Sequence, residues 1–226
     1  MGRYDDDEYT PSGADEAPAE GGGTATVTKE ARRVIRGGWG NAQKQKAASS
    51  PFPQRLSPDK DGVVVKFLED GPYASYRQHW INEIQQGTKA FTCIDGMGLG
   101  SCPLCDGGNR ASSQFMFNVA ELSEDGPAEL KTYNVGITVF DQLSDHHTDP
   151  RQGPLEKHYW VIKRSKNGNK WTTTLFMQRE DELAEQGYVI PSEIELNAFK
   201  LWDDNEVRIT PRKELVEIAA QYLDLE

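Results

Sequence analysis

HYWVIKRSKNGNKWTTTLFM, residues 158–177, decides the fold class of this chain. Two runs of alternating apolar and polar residues flank Asn167-Gly168. An Asn-Gly pair between such runs is the strongest short-range hairpin signal, because both residues accept the positive φ of a type I′ turn. The reading is a strand over 158–164, a turn at Asn167-Gly168 and a return strand over 170–177. Side chains alternate between the two faces of a strand. Trp160, Ile162 and Arg164 therefore share a face with Trp171, Thr173 and Leu175, while Tyr159, Val161 and Lys163 share the other with Thr172, Thr174 and Phe176.

Outward from the hairpin, the same period predicts strands over 63–68, 73–84, 89–93, 114–122 and 130–140. Short strands interrupted by a cysteine-rich insertion fit a mainly β, OB-fold-like small barrel, closed or partly closed. Helices are expected over 180–186 and 211–223, the second with Thr210 as N-cap and Pro211 at the first helical position. Leu215, Ile218, Ala219 and Tyr222 mark its buried stripe. The organisation that follows is a leader, arm and linker over 1–60, a β core over 61–178 and an acidic, partly helical segment over 179–226.

All three cysteines fall within Cys93 to Cys105, and Cys102-Pro-Leu-Cys105 forms a C-x-x-C knuckle. Two thiolates at that spacing take two corners of a tetrahedral metal site from one tight turn. A disulfide would strand the odd cysteine. Gly96, Gly98 and Gly100 let the intervening chain fold back. His79, in an aromatic run predicted to pair with the strand over 89–93, is the leading fourth ligand; a carboxylate such as Asp95 or Asp106 is the alternative. His146 and His147 read as part of a solvated loop. Three thiolates and an imidazole make a closed, structural site for one Zn2+, within a subdomain over about 77–110.

Charge is segregated. The net charge of −11 over 226 residues hides a leader (1–23) of net −6, a basic stretch (29–60) of net +6 and a C-terminal region (178–226) of net −8. The leader, rich in Gly, Ala and Pro and almost without aliphatics, is expected to be disordered. Lys29, Arg32, Arg33 and Arg36 sit on a short basic helix expected after Thr28. No run approaches the ~18–20 apolar residues of a membrane span, and no signal peptide is legible, so an intracellular protein is expected.

Aromatics interleaved with bases on strands suit single-stranded nucleic acid, since rings stack on unpaired bases and cations follow phosphates. Tyr73, Tyr76, Arg77 and Trp80, with Tyr159, Lys163, Arg164, Lys166, Lys170 and Trp171, are the candidate contacts, drawn from both hairpin faces because one face must be core. Enzyme signatures are missing: no His-x-Glu accompanies a Pro-Cys-x-x-Cys, the Gly96–Ser101 run lacks a Gly-Lys-Ser/Thr ending, and neither Gly-x-Ser-x-Gly nor His-Glu-x-x-His occurs. A non-enzymatic binding protein is expected. The runner-up is a zinc-ribbon-like adaptor that binds host or phage transcription or replication machinery. A duplex or RNA binder would need a longer basic recognition helix.

His79…Cys93…Cys102-Pro-Leu-Cys105 resembles the metal site of the zinc-containing single-stranded-DNA-binding proteins of tailed phages, the T-even helix-destabilising type. The likeness covers roughly 62–177 and, outside the metal motif, rests on strand order and aromatic–basic texture. It implies an oligonucleotide-binding barrel with a zinc subdomain that coats single-stranded DNA during phage replication, recombination and repair in the host cytoplasm, with little sequence preference. It further implies self-association along DNA through an N-terminal arm, here Lys29, Arg32, Arg33 and Arg36, and recruitment of replication and recombination enzymes by the acidic C-terminal segment. An acidic end of this kind is also a candidate competitor for a basic groove, the alternative being a helix packed on the core.

Overall fold

Period-two patterning builds seven strands: β1 (Val63–Phe67), β2 (Ala74–Trp80), β3 (Ala90–Thr92), β4 (Ser112–Glu121), β5 (Glu129–Gly136), β6 (Tyr159–Asn167) and β7 (Lys170–Gln178). The computed structural model describes residues 53–168 and 170–223. The acidic leader, the basic segment with Lys29, Arg32, Arg33 and Arg36, and the linker up to residue 52 lie outside the described residues.

The strands form one antiparallel sheet in the order β3-β2-β4-β1-β6-β7, with β5 paired to β4. Because β5 covers Gln114–Glu121, β2 and β1 share the opposite edge of β4, β2 at Ser112–Met116 and β1 at Val119–Glu121. The sheet is mainly β as expected, but it does not close: among the described strands no ladder joins β3 or β7 back to β5.

The hairpin parity holds: Trp160 pairs with Met177, Ile162 with Leu175, Arg164 with Thr173 and Lys166 with Trp171. The turn lies one residue later than predicted. Asn167 is the last ladder residue, paired with Lys170, and Gly168 takes φ +60°, where a side chain would be strained. β1 pairs only with Tyr159–Ile162, so the outer half of the hairpin runs beyond the sheet.

One sheet face carries the main core. Val65, Phe67, Phe117, Val119, Tyr133, Val135, Trp160, Ile162 and Leu175 pack there, and the Trp160 indole N–H donates to the Leu155 carbonyl at 2.9 Å. The strand predicted to continue to residue 140 instead ends at Gly136, and Ile137–Thr148 is a helix, α2. Val139, Phe140 and Leu143 recur at helical spacing and close this core, with Phe140 stacked on Phe115 at 3.8 Å between ring centroids. His146 and His147 consequently lie in the last turn of α2, not in a loop.

The opposite face is more polar and is covered by the C-terminal segment. Val64, Leu122 and Tyr159 pack with Leu183 of α3 (Glu180–Glu185). Buried Asn118 pairs with the backbone of Trp202 in both directions, donating to its carbonyl at 2.9 Å and accepting from its N–H at 3.1 Å. Thr92 Oγ1 donates to the Arg208 carbonyl at 2.7 Å. A short α4 (Glu193–Asn197) lies between these anchors in sequence and carries a Ser192 capping box.

A second apolar cluster surrounds the cysteines, with Ile81, Ile84, Phe91, Ile94 and Leu104 of the β2–β3 region and α1 (Pro103–Asp106). Its remaining wall is α5 (Arg212–Tyr222), which buries Leu215 and Ala219. Thr210 is not its N-cap; Pro211 is, and Thr210 is buried ahead of it. No helix among the described residues is long and apolar enough to cross a membrane.

Because α5 completes that cluster, it is a packed element and not a free tail. Leu215→Ala is expected to destabilise the protein by about 2–5 kcal/mol, read as a lowered urea midpoint at unchanged slope.

Candidate metal centre and nucleic-acid interface

β2 and β3 pair with His79 opposite Phe91, which brings Cys93, one step past the end of β3, onto the face that carries His79. The Cys93 N–H donates to the Arg77 carbonyl at 2.8 Å and fixes that register. The chain then reverses through Gly96, Gly98 and Gly100, with φ of +81°, +74° and +88°, and delivers Cys102 and Cys105 at the start and end of one helical turn. Positive φ at three positions in five is why this loop is glycine at each.

His79, Cys93, Cys102 and Cys105 place their donor atoms within 4.8 Å of one another. His79 Nε2 lies 3.4 Å from Cys102 Sγ and 3.6 Å from Cys105 Sγ, and Cys93 and Cys105 Sγ are 3.6 Å apart. A tetrahedron with Zn–S of ~2.3 Å and Zn–N of ~2.0–2.1 Å has edges of about 3.75 Å between sulfurs and 3.55 Å between sulfur and nitrogen. These three distances fall within about 0.2 Å of those edges, and the remaining pairs lie within 4.8 Å. The sulfurs are too far apart for a disulfide, which needs ~2.05 Å. Asp95 is turned away, its carboxylate 3.5 Å from Arg77, and Asp106 is exposed.

The histidine is held in the tautomer a metal requires. Asn109 Nδ2 donates to the Trp80 carbonyl at 3.1 Å, so its Oδ1 is left to accept from His79 Nδ1 at 2.9 Å. Nε2 then points its lone pair at the sulfurs, the second-shell arrangement typical of ligating imidazoles. Burial lowers the His79 pKa and keeps the ring neutral. Burial would raise Cys102, but backbone N–H groups of Cys105, Ile94 and Leu104 outweigh it and hold that thiol below its ordinary value. Cys105 is pushed up to about 12 by burial and by the adjacent Cys93 and Cys102 thiols. The backbone supports one thiolate; three at this spacing would repel one another, and a bound cation would offset that repulsion. The buried His/Cys3 group could hold a metal ion and is compatible with a structural zinc. Asn109, four residues past the knuckle, carries no motif and was not legible in the sequence.

A second convergence, Asp70, His147 and Glu156, is of another kind. The Leu155 N–H approaches His147 Nδ1 at 3.5 Å, which leaves Nε2 as the protonated nitrogen facing Asp70 at 3.4 Å. That is a hydrogen-bonded clasp between the β1–β2 loop and the end of α2.

The predicted nucleic-acid contacts separate into three groups. On the projecting hairpin, Trp171 is 58% exposed, with the Arg164 guanidinium 4.7 Å and the Lys166 ammonium 5.8 Å from its ring. Lys163 and Lys170 are exposed on the other hairpin face, where Lys163 lies 5.9 Å from Phe176, an exposed ring not among the predicted contacts. On β2, Arg77 and Trp80 are exposed and Tyr76 is half-buried, as is Tyr73 just ahead of the strand. The Tyr73 hydroxyl meets Thr132 Oγ1 at 2.8 Å, and that of Tyr76 donates to Gln78 and accepts from Asn134, both at 3.1 Å. Tyr159 is corrected outright: it is buried against Val64, Leu122 and Leu183 with Lys66 across its ring, so no base can stack on it.

No protein-family model matches the chain, and neither the curated proteins nor the solved structures contain a match.

Since Asn109 orients His79, Asn109→Ala is expected to weaken metal binding about 10–100-fold, the usual second-shell effect, while Cys102→Ser abolishes stoichiometric binding. Competition against a chelator with elemental analysis reads both, and unchanged affinity in Asn109→Ala would remove its positioning role.

Proposed function

We propose that this protein binds single-stranded DNA with little dependence on sequence along most of its contact, coating it during phage replication, recombination and repair, and that it carries one structural zinc on His79, Cys93, Cys102 and Cys105. The observation that carries the reading is Trp171, an exposed indole flanked by two cations on a hairpin that projects past its sheet. Burying such a ring would be the ordinary use of tryptophan. Left in solvent between Arg164 and Lys166, it offers an unpaired base a flat surface and the adjoining phosphates two positive charges. Duplex DNA hides its base faces and gains only the charges. Lys163 and Lys170 add charge on the other face of the hairpin, and Trp80 offers a second exposed aromatic on β2.

In this reading the open sheet serves as an oligonucleotide-binding barrel variant, and the zinc locks β2 to β3 and to the knuckle so that the aromatics of β2 keep their spacing. The likeness of the metal motif to that of phage helix-destabilising proteins supports the same reading. No catalytic step is assigned to the protein. A protein-docking role for the C-terminal segment is favoured by α4, where Ile194 is 83% exposed between Glu193 and Glu195; the segment is proposed to recruit replication and recombination enzymes.

Fluorescence titration with oligo-dT, duplex DNA and oligo-rA across a salt series tests the proposal. Oligo-dT is expected to quench tryptophan emission and to bind more tightly than the duplex. Trp171→Ala should cost about 1–3 kcal/mol of binding. Lys166→Ala should lower the log–log salt slope by about 0.7. Duplex binding as tight as oligo-dT binding, or a Trp171→Ala variant with unaltered affinity, would defeat the reading.

A further inference from the structure

We infer that the single strand wraps the free edge of β7 and reaches a second stacking platform, Phe176 with Lys163, on the hairpin face opposite Trp171; the inference rests on the single-strand reading above. Residues 157–177 carry five bases and no acid in a chain of net charge −11, which suits this hairpin to a polyanion. Phe176 is 46% exposed, and the Lys163 ammonium stands 5.9 Å from its ring on the same face. The lysine stem is seated on Gly62, where an added Cβ would come within 2.8 Å of Lys163 Cγ. Beside the ring opens a recess of about 320 Å3, with Val64, Val161 and Tyr188 as apolar lining and the amides of Gln178 and Gln186 as polar lining. Each amide offers both donors and an acceptor, so the recess takes any base edge. Asp61, the one carboxylate in that lining, is paired with Lys60 at 2.9 Å.

Both platforms belong to one strand. Trp171 and Phe176 are an odd number of residues apart on β7, so they face opposite ways, roughly 17 Å from each other along the strand. A nucleic-acid strand that touches both must pass over one edge of the hairpin. β1 holds the β6 edge as far as Ile162, and beyond it the Arg164 N–H donates to the Asp59 carbonyl at 2.7 Å. Asp59 and Asp61 bring exposed carboxylates to that side. β7 is the last strand of the sheet, has no outer partner strand among the described residues, and carries no acid from Lys170 to Gln178. Hydroxyls of Thr172 and Thr174, exposed on β7, suit phosphates as the strand turns. Lys166 and Lys170 lie on opposite faces near the tip and provide cations on both sides of the crossing. Trp171 has two cations over its ring and Phe176 has one, so a short strand engages Trp171 first.

The test titrates the full chain at low salt with oligo-dT of about three and of about twelve nucleotides, below and within the ~4–16 that one oligonucleotide-binding fold engages. Phe176→Leu keeps apolar volume and removes the flat ring. It is expected to weaken the longer strand by about fivefold or more, the lower end of the loss of one stacked base, and to leave the shorter unchanged. Lys163→Gln should lower the salt slope of the longer strand by about 0.7 and not that of the shorter. Trp171→Ala weakens both. Phe176→Trp adds a readout that does not depend on stability, since its new indole should be quenched by the longer strand alone. A Phe176→Leu variant that changes neither length or both alike, or a Phe176→Trp indole that the longer strand leaves unquenched, overturns the wrapped path while the Trp171 platform stands. Failure of the wild type to bind the longer strand overturns the single-strand reading and the path with it.

Discussion

Three thiols and an imidazole nitrogen meet in a buried space, three of their pairs 3.4 to 3.6 Å apart, and much of the molecule is arranged around that meeting. Packed as neutral thiols they cost little, but each sulfur that ionises raises the cost of the next. A cation at their centre would turn that repulsion into common attraction. The cluster then fastens four separate pieces of chain: the end of β2, the residue past β3, the glycine loop and the α1 knuckle. It also sets the position of the apolar side chains around it, Ile81, Phe91, Ile94 and Leu104. These are too few to make a core alone, and α5 supplies the missing wall.

That packing ties the cysteine cluster to the C-terminal segment. Once α5 is seated on the cysteine cluster, the segment that precedes it must cross the polar face of the sheet. Buried Asn118 makes the crossing tolerable by replacing the water that the Trp202 amide and carbonyl would lose. The two sheet faces therefore meet different needs. One is closed by apolar contacts under α2. The other is closed by hydrogen bonds to a chain segment rich in carboxylates, and a cavity remains where the cover stands off the strands.

The outer half of the β6–β7 hairpin escapes both layers. Parity keeps Arg164, Lys166 and Trp171 on the same face as buried Trp160 and Ile162, yet they are exposed because the hairpin has outrun β1 and its core. A single face thus changes from packing to solvent along one strand. Tyr159, by contrast, lies on the face that the acidic segment covers, and it is buried under α3. Alternation alone could not separate these fates.

What the sequence determined by itself is local. The Asn-Gly pair and flanking alternation specify the hairpin and its parity, the C-x-x-C and its glycines specify the cysteine corners of the candidate metal site, and the stripe Leu215, Ile218, Ala219, Tyr222 specifies an amphipathic helix. Each signal lies within a few residues, so short-range geometry suffices to read it. Tertiary structure decided the rest: that the chain after Gly136 becomes α2, that Asn109 orients His79, that Asn118 meets Trp202 across eighty-four positions, and that the sheet stays open. In each of these a residue's role is set by what packs against it, and that partner is remote in sequence. Periodicity records that a face will be covered; only the folded chain selects the cover.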